Sequence, residues 1–190
     1  MSDSHSSEQL QVALLRRIAA QDVDALAALY DHLSGPLFSL ALRILGDGHE
    51  AEEVIQDVFV QVWHNASSFQ ENLGVPLHWT LSIARNRCID RLRARQRRSR
   101  IIEEMLNDDV ARTGAVGSDH DPSLRTDERA AVRSALAGLP EDQRGAIELA
   151  FFGGLTHHQI AAQLGEPLGT VKARIRRGML KLREGLQAYV

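Results

Sequence analysis

The chain has 190 residues, 44% of them hydrophobic and 5% aromatic, with a formal net charge of −3. That length holds one ordinary domain or two small ones. Nothing approaches the ~18 consecutive apolar residues that a membrane-spanning helix needs, and the polar start MSDSHSSEQL lacks the apolar core of a signal peptide. One cysteine, Cys88, excludes an intramolecular disulfide and a cysteine-rich zinc site, and fits a reducing cytoplasm.

Apolar residues recur at helical spacing through most of the chain, and no segment alternates as a strand does. Residues 1–9 read as disordered. Residues 10–20 read as a short helix through Leu10, Leu14 and Ile18. Asp22 or Asp24 is placed to cap the next helix, which runs to about His32 through Leu26 and Leu29. Gly35-Pro36 predicts a break or kink, followed by a buried helix, LFSLALRIL, and a turn at Gly46-Asp47-Gly48. Residues 50–65 form a helix with Ala51, Val54, Ile55, Val58 and Val62 inward. Its early acids, Glu50, Glu52, Glu53 and Asp57, favour the positive end of a helix dipole. Residues 65–76 read as a loop. A further helix starts near Leu77, with Leu81, Ile83, Ala84, Cys88, Ile89 and Leu92 as its apolar positions.

Charge is distributed in blocks. Residues 85–100 hold eight Arg and one Asp, and residues 170–183 hold six cations and no acid. Between them, residues 101–128 carry eight acids against Arg112 and Arg125. Blocks of this kind mark modules with different partners. Residues 99–126 lose periodicity and read as a flexible acidic linker, with IIEEML as a helical candidate. Helix resumes at Asp127. Leu139-Pro140 is a boundary, and EDQRGAIELAFF is the next helix, with Pro140 suited to its first turn. The expected fold is all-α, in two small helical domains joined by the linker.

A helix-turn-helix follows. Thr156 with Gln159 matches a capping box. Gly165 suits a left-handed terminus, Glu166-Pro167-Leu168-Gly169 makes the turn, and Thr170 is placed as the next cap. Val171, Ile175, Met179, Leu182 and Leu186 form one apolar stripe. Lys172, Arg176 and Arg183 flank it on one side; Arg174, Arg177 and Lys181 flank it on the other, with Ala173 outward. A helix entering the major groove needs such a division, one stripe packed and the remainder meeting phosphates and base edges. A charged surface helix is the plainer alternative, but the two caps and the turn agree with the charge pattern. His157-His158 are adjacent and lack the i, i+4 spacing and companions of a metal site. The other basic stretch, IARNRCIDRLRARQRR, follows a loop bearing Phe69 and a helix start bearing Trp79. Aromatic residues beside cations suit single-stranded nucleic acid; Trp79 reads as core, and Phe69 is the better base contact. No nucleophile–base set and no phosphate-cradling glycine loop is present, so neither enzyme activity nor a cofactor is expected.

With these motifs the chain resembles a bacterial RNA polymerase sigma factor of the extracytoplasmic-function (ECF) group. Residues 24–63, DALAALYDHLSGPLFSLALRILGDGHEAEEVIQDVFVQVW, are similar to the polymerase-binding part of the second sigma region. WTLSIARNRCIDRLRARQRR (79–98) is similar to its segment for promoter melting and −10 reading. LPEDQRGAIELAFFGGLTHHQIAAQLGEPLGTVKARIRRGMLKLR (139–183) is similar to the fourth region, which reads the −35 element. The resemblance divides the chain into a tail or short helix (1–21), a second region (22–98), a linker (99–126) and a fourth region (127–190). It implies core polymerase contacts at Glu53, Gln56 and Asp57. It implies −10 contacts at Phe69, Asn72, Asn86, Arg87 and Arg91, and −35 contacts at Thr170, Lys172, Ala173, Arg174, Arg176, Arg177 and Lys181. The implied partners are core RNA polymerase, promoter DNA and an anti-sigma factor, often membrane-tethered in the family; no small-molecule substrate is implied. The loop ENLGVPLHW differs from the family's shorter glycine-serine forms. A free-standing helix-turn-helix regulator and a helical adaptor are the alternatives.

Overall fold

The computed structural model describes residues 2–106 and 134–187. Among these residues the fold is all-α, and the chain divides into two units, Met1–Ser123 and Leu124–Val190.

The first unit contains α1 (Ser2–Ala19), α2 (Val23–Leu45), α3 (Gly48–Asn65) and α4 (Pro76–Leu106). Helix α1 begins well before the stretch expected from sequence. It buries Leu14, Leu15 and Ile18 against the bundle, so tertiary packing supplies what a polar, serine-rich start lacks in propensity. Gln21, at φ 65°, turns the chain out of α1 in the left-handed region. Asp22 then caps α2 by accepting from the Ala25 N–H at 3.1 Å. The Arg17 guanidinium bonded to Asp22, and then the Ala25 N–H, hold this carboxyl below its ordinary value.

Of the break or kink expected at Gly35-Pro36, the break does not occur in α2. The helix runs through Pro36 without interruption. Pro36 lacks one N–H, but Ala25, Leu29, Leu33, Leu37, Ala41 and Leu45 make an unbroken i, i+4 stripe that is wholly buried. Burial of about 1.5–3 kcal/mol per large apolar side chain outweighs the proline penalty of about 3 kcal/mol. Gly46, at φ 70°, closes α2 with its N–H on the Leu42 carbonyl. Asp47 caps α3 through the Glu50 N–H at 2.9 Å, and Ala51, Val54, Ile55, Val58, Phe59 and Val62 face the core.

The expected loop contains two short 3-10 turns, Ala66–Ser68 and Glu71–Leu73. Helix α4 then buries Thr80, Ile83, Ala84, Cys88 and Ile89. Its 31 residues span about 46 Å at ~1.5 Å each. Its far part carries exposed Arg93, Arg95, Arg97 and Arg98 and exposed Ile101 and Ile102. The stretch read as the start of the linker is therefore helical to Leu106. The rest of that linker, and the helix expected to resume at Asp127, lie outside the described residues until 134–137, which are helical.

The second unit holds α5 (Glu141–Phe151), α6 (His157–Leu164) and α7 (Leu168–Gln187). Pro140 stands one position before α5, as its cap residue. Among the described residues this unit's buried apolar side chains are Leu139, Ala146, Ile147, Ile160 and Val171. No helix among the described residues is long and apolar enough to cross a membrane.

Candidate nucleic-acid interface

The helix-turn-helix is built by local chemistry. Thr156 accepts from the Gln159 N–H at 3.3 Å, and Gln159 Oε1 accepts from the Thr156 N–H at 2.8 Å, completing the capping box. Gly165, at φ 65°, ends α6. The N–H of Glu166 reaches the Ala161 carbonyl at 3.0 Å, folding the turn back on α6. Helix α7 then starts at Leu168, two residues earlier than its expected cap. The Pro167 carbonyl accepts from the N–H groups of Thr170 (2.9 Å) and Val171 (3.2 Å). Thr170 thus lies inside the first turn, because the rigid Pro167 starts the helix with its own carbonyl. Ile160 and Val171, both fully buried, are the apolar pivot where α6 and α7 cross.

The packed stripe of α7 also differs from expectation. Met179 is 53% exposed. Gly178 is buried in its place, and a Cβ there would come within 2.6 Å of Ile147 Cδ1 and 3.3 Å of Gln143 Cβ. The approach of α5 to α7 at this point leaves no room for a large side chain at 178. Lys172, Ala173, Arg176, Arg177, Lys181 and Arg183 are exposed, and Thr170 is half-buried. None of these cations joins an ion pair among the described residues; Arg177 bonds only the Ala173 carbonyl of its own helix. Arg174 is different. Its side chain is 19% exposed, with Nε 2.9 Å from Asp142 and Nη1 2.8 Å from Glu166. It was expected beside the other cations, yet two carboxylates of its own unit hold it.

In the first unit, α3 presents Glu53, Gln56, Asp57 and Val60 at i, i+3, i+4, i+7 on one outward face. Val60 is 58% exposed and was not singled out from sequence, where it passes as one more apolar residue of the helix. Phe69 is half-buried, its ring edge-on to Trp79 at 5.6 Å. Its ring is thus partly spent on packing the loop against α4. Asn72, Leu73 and Asn86 are exposed. Arg87 donates from Nε to Gln61 at 3.0 Å and stays exposed. Arg91 pairs with Glu53 at 2.7 Å and donates to the Glu50 carbonyl at 3.1 Å. The structure therefore joins two residues assigned to different partners, Arg91 for DNA and Glu53 for polymerase. Arg16 of α1 grips Glu71 of the loop, at 2.9 Å from Nε and 2.5 Å from Nη2. No short-range pattern signals either pairing, because the partners lie far apart in sequence.

Cys88 is fully buried, and desolvation pushes its thiol up to about 12. No cluster of three or more His, Cys, Asp or Glu among the described residues is placed to hold a metal.

Two helical units, one with a basic helix-turn-helix and one with a long arginine-rich helix, define a bipartite helix-turn-helix protein. The family comparisons agree. The Sigma-70 region 2 profile matches residues 29–98, and the Sigma-70, region 4 profile matches residues 135–184. ECF RNA polymerase sigma factor SigK of Mycolicibacterium vanbaalenii is 39% identical over 180 residues, spanning 92% of this chain and 88% of the relative. SigK of Mycobacterium tuberculosis (strain H37Ra) is 37% identical, spanning 92% of each. The solved complex of Rhodobacter sphaeroides SigE with the anti-sigma ChrR shares 34% identity, covering 92% of this chain and 96% of that one, with a TM-score of 0.45. The chain belongs to the ECF RNA polymerase sigma factors.

Proposed function

We propose that this sigma factor binds core RNA polymerase, reads −35 and −10 promoter elements and assists melting, under the control of an anti-sigma factor. The observation that carries the reading is the outward face of α7, where Lys172, Arg176, Arg177 and Lys181 stand exposed and outside any ion pair among the described residues. Unneutralised cations at this density suit two phosphate strands, and each phosphate met releases counterions. Thr170 and Ala173 complete the −35 face. Phe69, Asn72 and Asn86 form the −10 face. Arg87 keeps an exposed guanidinium for phosphate, whereas Arg91 acts there through its hold on α3. Glu53, Gln56 and Asp57 make the polymerase surface, and Val60 adds an apolar contact to it.

Melting, in this reading, involves no chemical step. Stacked duplex is exchanged for captured single-strand bases and phosphate contacts. The regions occupy about 22–98 and 127–190, joined by the acidic linker, and the protein works in the bacterial cytoplasm. Exposed apolar side chains on both units, Tyr30 and Val60 on one and Phe151, Leu164 and Leu180 on the other, offer surfaces for an anti-sigma protein.

The test is reconstitution with bacterial core polymerase on fragmented genomic DNA, followed by sequencing of the transcript ends. Discrete starts sharing −35 and −10 elements are expected. Tight duplex binding by the protein alone, with no binding to core polymerase, would refute the proposal in favour of a free-standing regulator.

A further inference from the structure

We propose that Arg174 is a positioning residue that sets the reading face of α7 and does not itself read DNA. This rests on the −35 reading above. Three elements meet at its guanidinium. Arg174 is on α7, Asp142 is in the first turn of α5, and Glu166 is in the turn between α6 and α7. Nε serves Asp142 and Nη1 serves Glu166, so one planar fork spans both carboxylates. A lysine ammonium lacks that fixed fork.

The surroundings oppose a groove contact. The Arg174 side chain is 19% exposed, and Glu166 is 29% exposed. Moving the guanidinium to a base or phosphate would leave two carboxylates without their cation, one of them largely covered, close to the DNA polyanion. Asp142 is 45% exposed, so the cost of breaking this part-buried network lies between that of a surface pair and that of a buried one. The neighbouring Lys172, Arg176 and Arg177 face no such competition, being exposed and outside ion pairs among the described residues. Glu166 is itself anchored by its N–H on Ala161, so Arg174 ties α7 to a turn that is already fixed. The roll of α7 decides where Lys172, Ala173, Arg176 and Arg177 arrive in the groove. Arg174 controls that roll from the side of the helix, while the apolar pivot of Ile160 and Val171 controls it from beneath.

The experiment uses holoenzyme, assembled from the full chain and core polymerase, on a promoter library randomised across the −35 element with a fixed −10 element. Enrichment at each −35 position and the salt dependence of binding are measured for wild type, Arg174→Ala, Arg174→Lys, Asp142→Asn/Glu166→Gln and Arg176→Ala. For Arg174→Ala we expect about a tenfold loss of −35-dependent binding, in the range for residues of one ion-pair network. The loss is spread over all positions, with the slope of log affinity against log salt unchanged. Asp142→Asn/Glu166→Gln, which keeps Arg174, shows the same loss of preference, and adding Arg174→Ala to it changes nothing more. Arg174→Lys does not restore preference. Arg176→Ala instead reduces the salt slope by about 0.9 or flattens one position.

The inference is overturned if Arg174→Ala erases preference at a single position or reduces the slope by about 0.9. It is equally overturned if removing both carboxylates leaves preference intact or sharpens it. Should Arg174→Ala fail to fold, the carboxylate variant decides. A wild-type holoenzyme that selects no −35 sequence at all would overturn the −35 reading and this inference together.

Discussion

Replacing Ile160 with alanine tests whether the α6–α7 crossing organises the second unit. Ile160 is 0% exposed, in a core whose other buried apolar members are Leu139, Ala146, Ile147 and Val171 among the described residues. The substitution deletes three methyl or methylene groups, about 2.4 kcal/mol of transfer free energy at ~0.8 kcal/mol each. A residual cavity adds roughly another 1 kcal/mol, since α5 and α7 already touch at Gly178 and have little room to close further. The total, about 3–4 kcal/mol, is comparable with the whole stability of so small a unit, roughly 3–10 kcal/mol. Calorimetry on the full chain is expected to show the transition of the second unit falling by well over 10 °C, with the first unit's unchanged. In transcription assays, initiation that depends on the −35 element should collapse, while initiation on a pre-melted −10 template should persist. A shift below about 2 °C with −35-dependent initiation intact would refute the assignment of Ile160 as the pivot.

Three further places in the fold, Gly178, Cys88 and the Arg91–Glu53 pair, lead to measurable outcomes. Gly178→Ala should be nearly neutral, because a gain of about 1 kcal/mol in helix propensity offsets the displacement of Ile147 Cδ1, whereas Gly178→Leu should cost about 1–3 kcal/mol by overpacking; thermal melting of both variants separates them. Cys88 should resist alkylation in the native state at pH 8, where a thiol near pKa 12 is ionised in only about one molecule in 10,000. The unfolded thiol ionises above its ordinary value of 9.0 and the folded one only near about 12, so Cys88 favours folding below pH 9 and that contribution is lost as pH rises from there; a Cys88→Ala variant should lose less stability over that window. Arg91→Ala and Glu53→Ala should show a coupling of about 0.5–1 kcal/mol in a double-mutant cycle, discounted for solvent at this part-exposed pair; additive effects within about 0.3 kcal/mol would remove the proposed tie between α3 and α4.

What the sequence determined by itself is local. The periodicity of Val54, Ile55, Val58 and Val62 defines α3 because each residue needs only its own helix to know which way it faces. Thr156, Gln159 and Gly165 bound α6 because caps act over three or four residues. The two arginine-rich blocks are legible for the same reason. Tertiary structure decided everything that depended on a distant neighbour. Pro36 breaks a helix considered alone, and the buried stripe from Ala25 to Leu45 carries α2 through it. Residues 2–9 have no helical pattern of their own, and α1 forms because Leu14, Leu15 and Ile18 dock on the bundle. Met179, expected inward, lies exposed and Gly178 is buried, because the surface of α5, which no periodicity of α7 reports, leaves no room for a large side chain at 178. Arg174, Arg91 and Arg16 look like any other cation in the sequence. Asp142, Glu53 and Glu71 reach them only after folding, and an ion pair between elements is set by how those elements pack, not by the spacing of residues along either one.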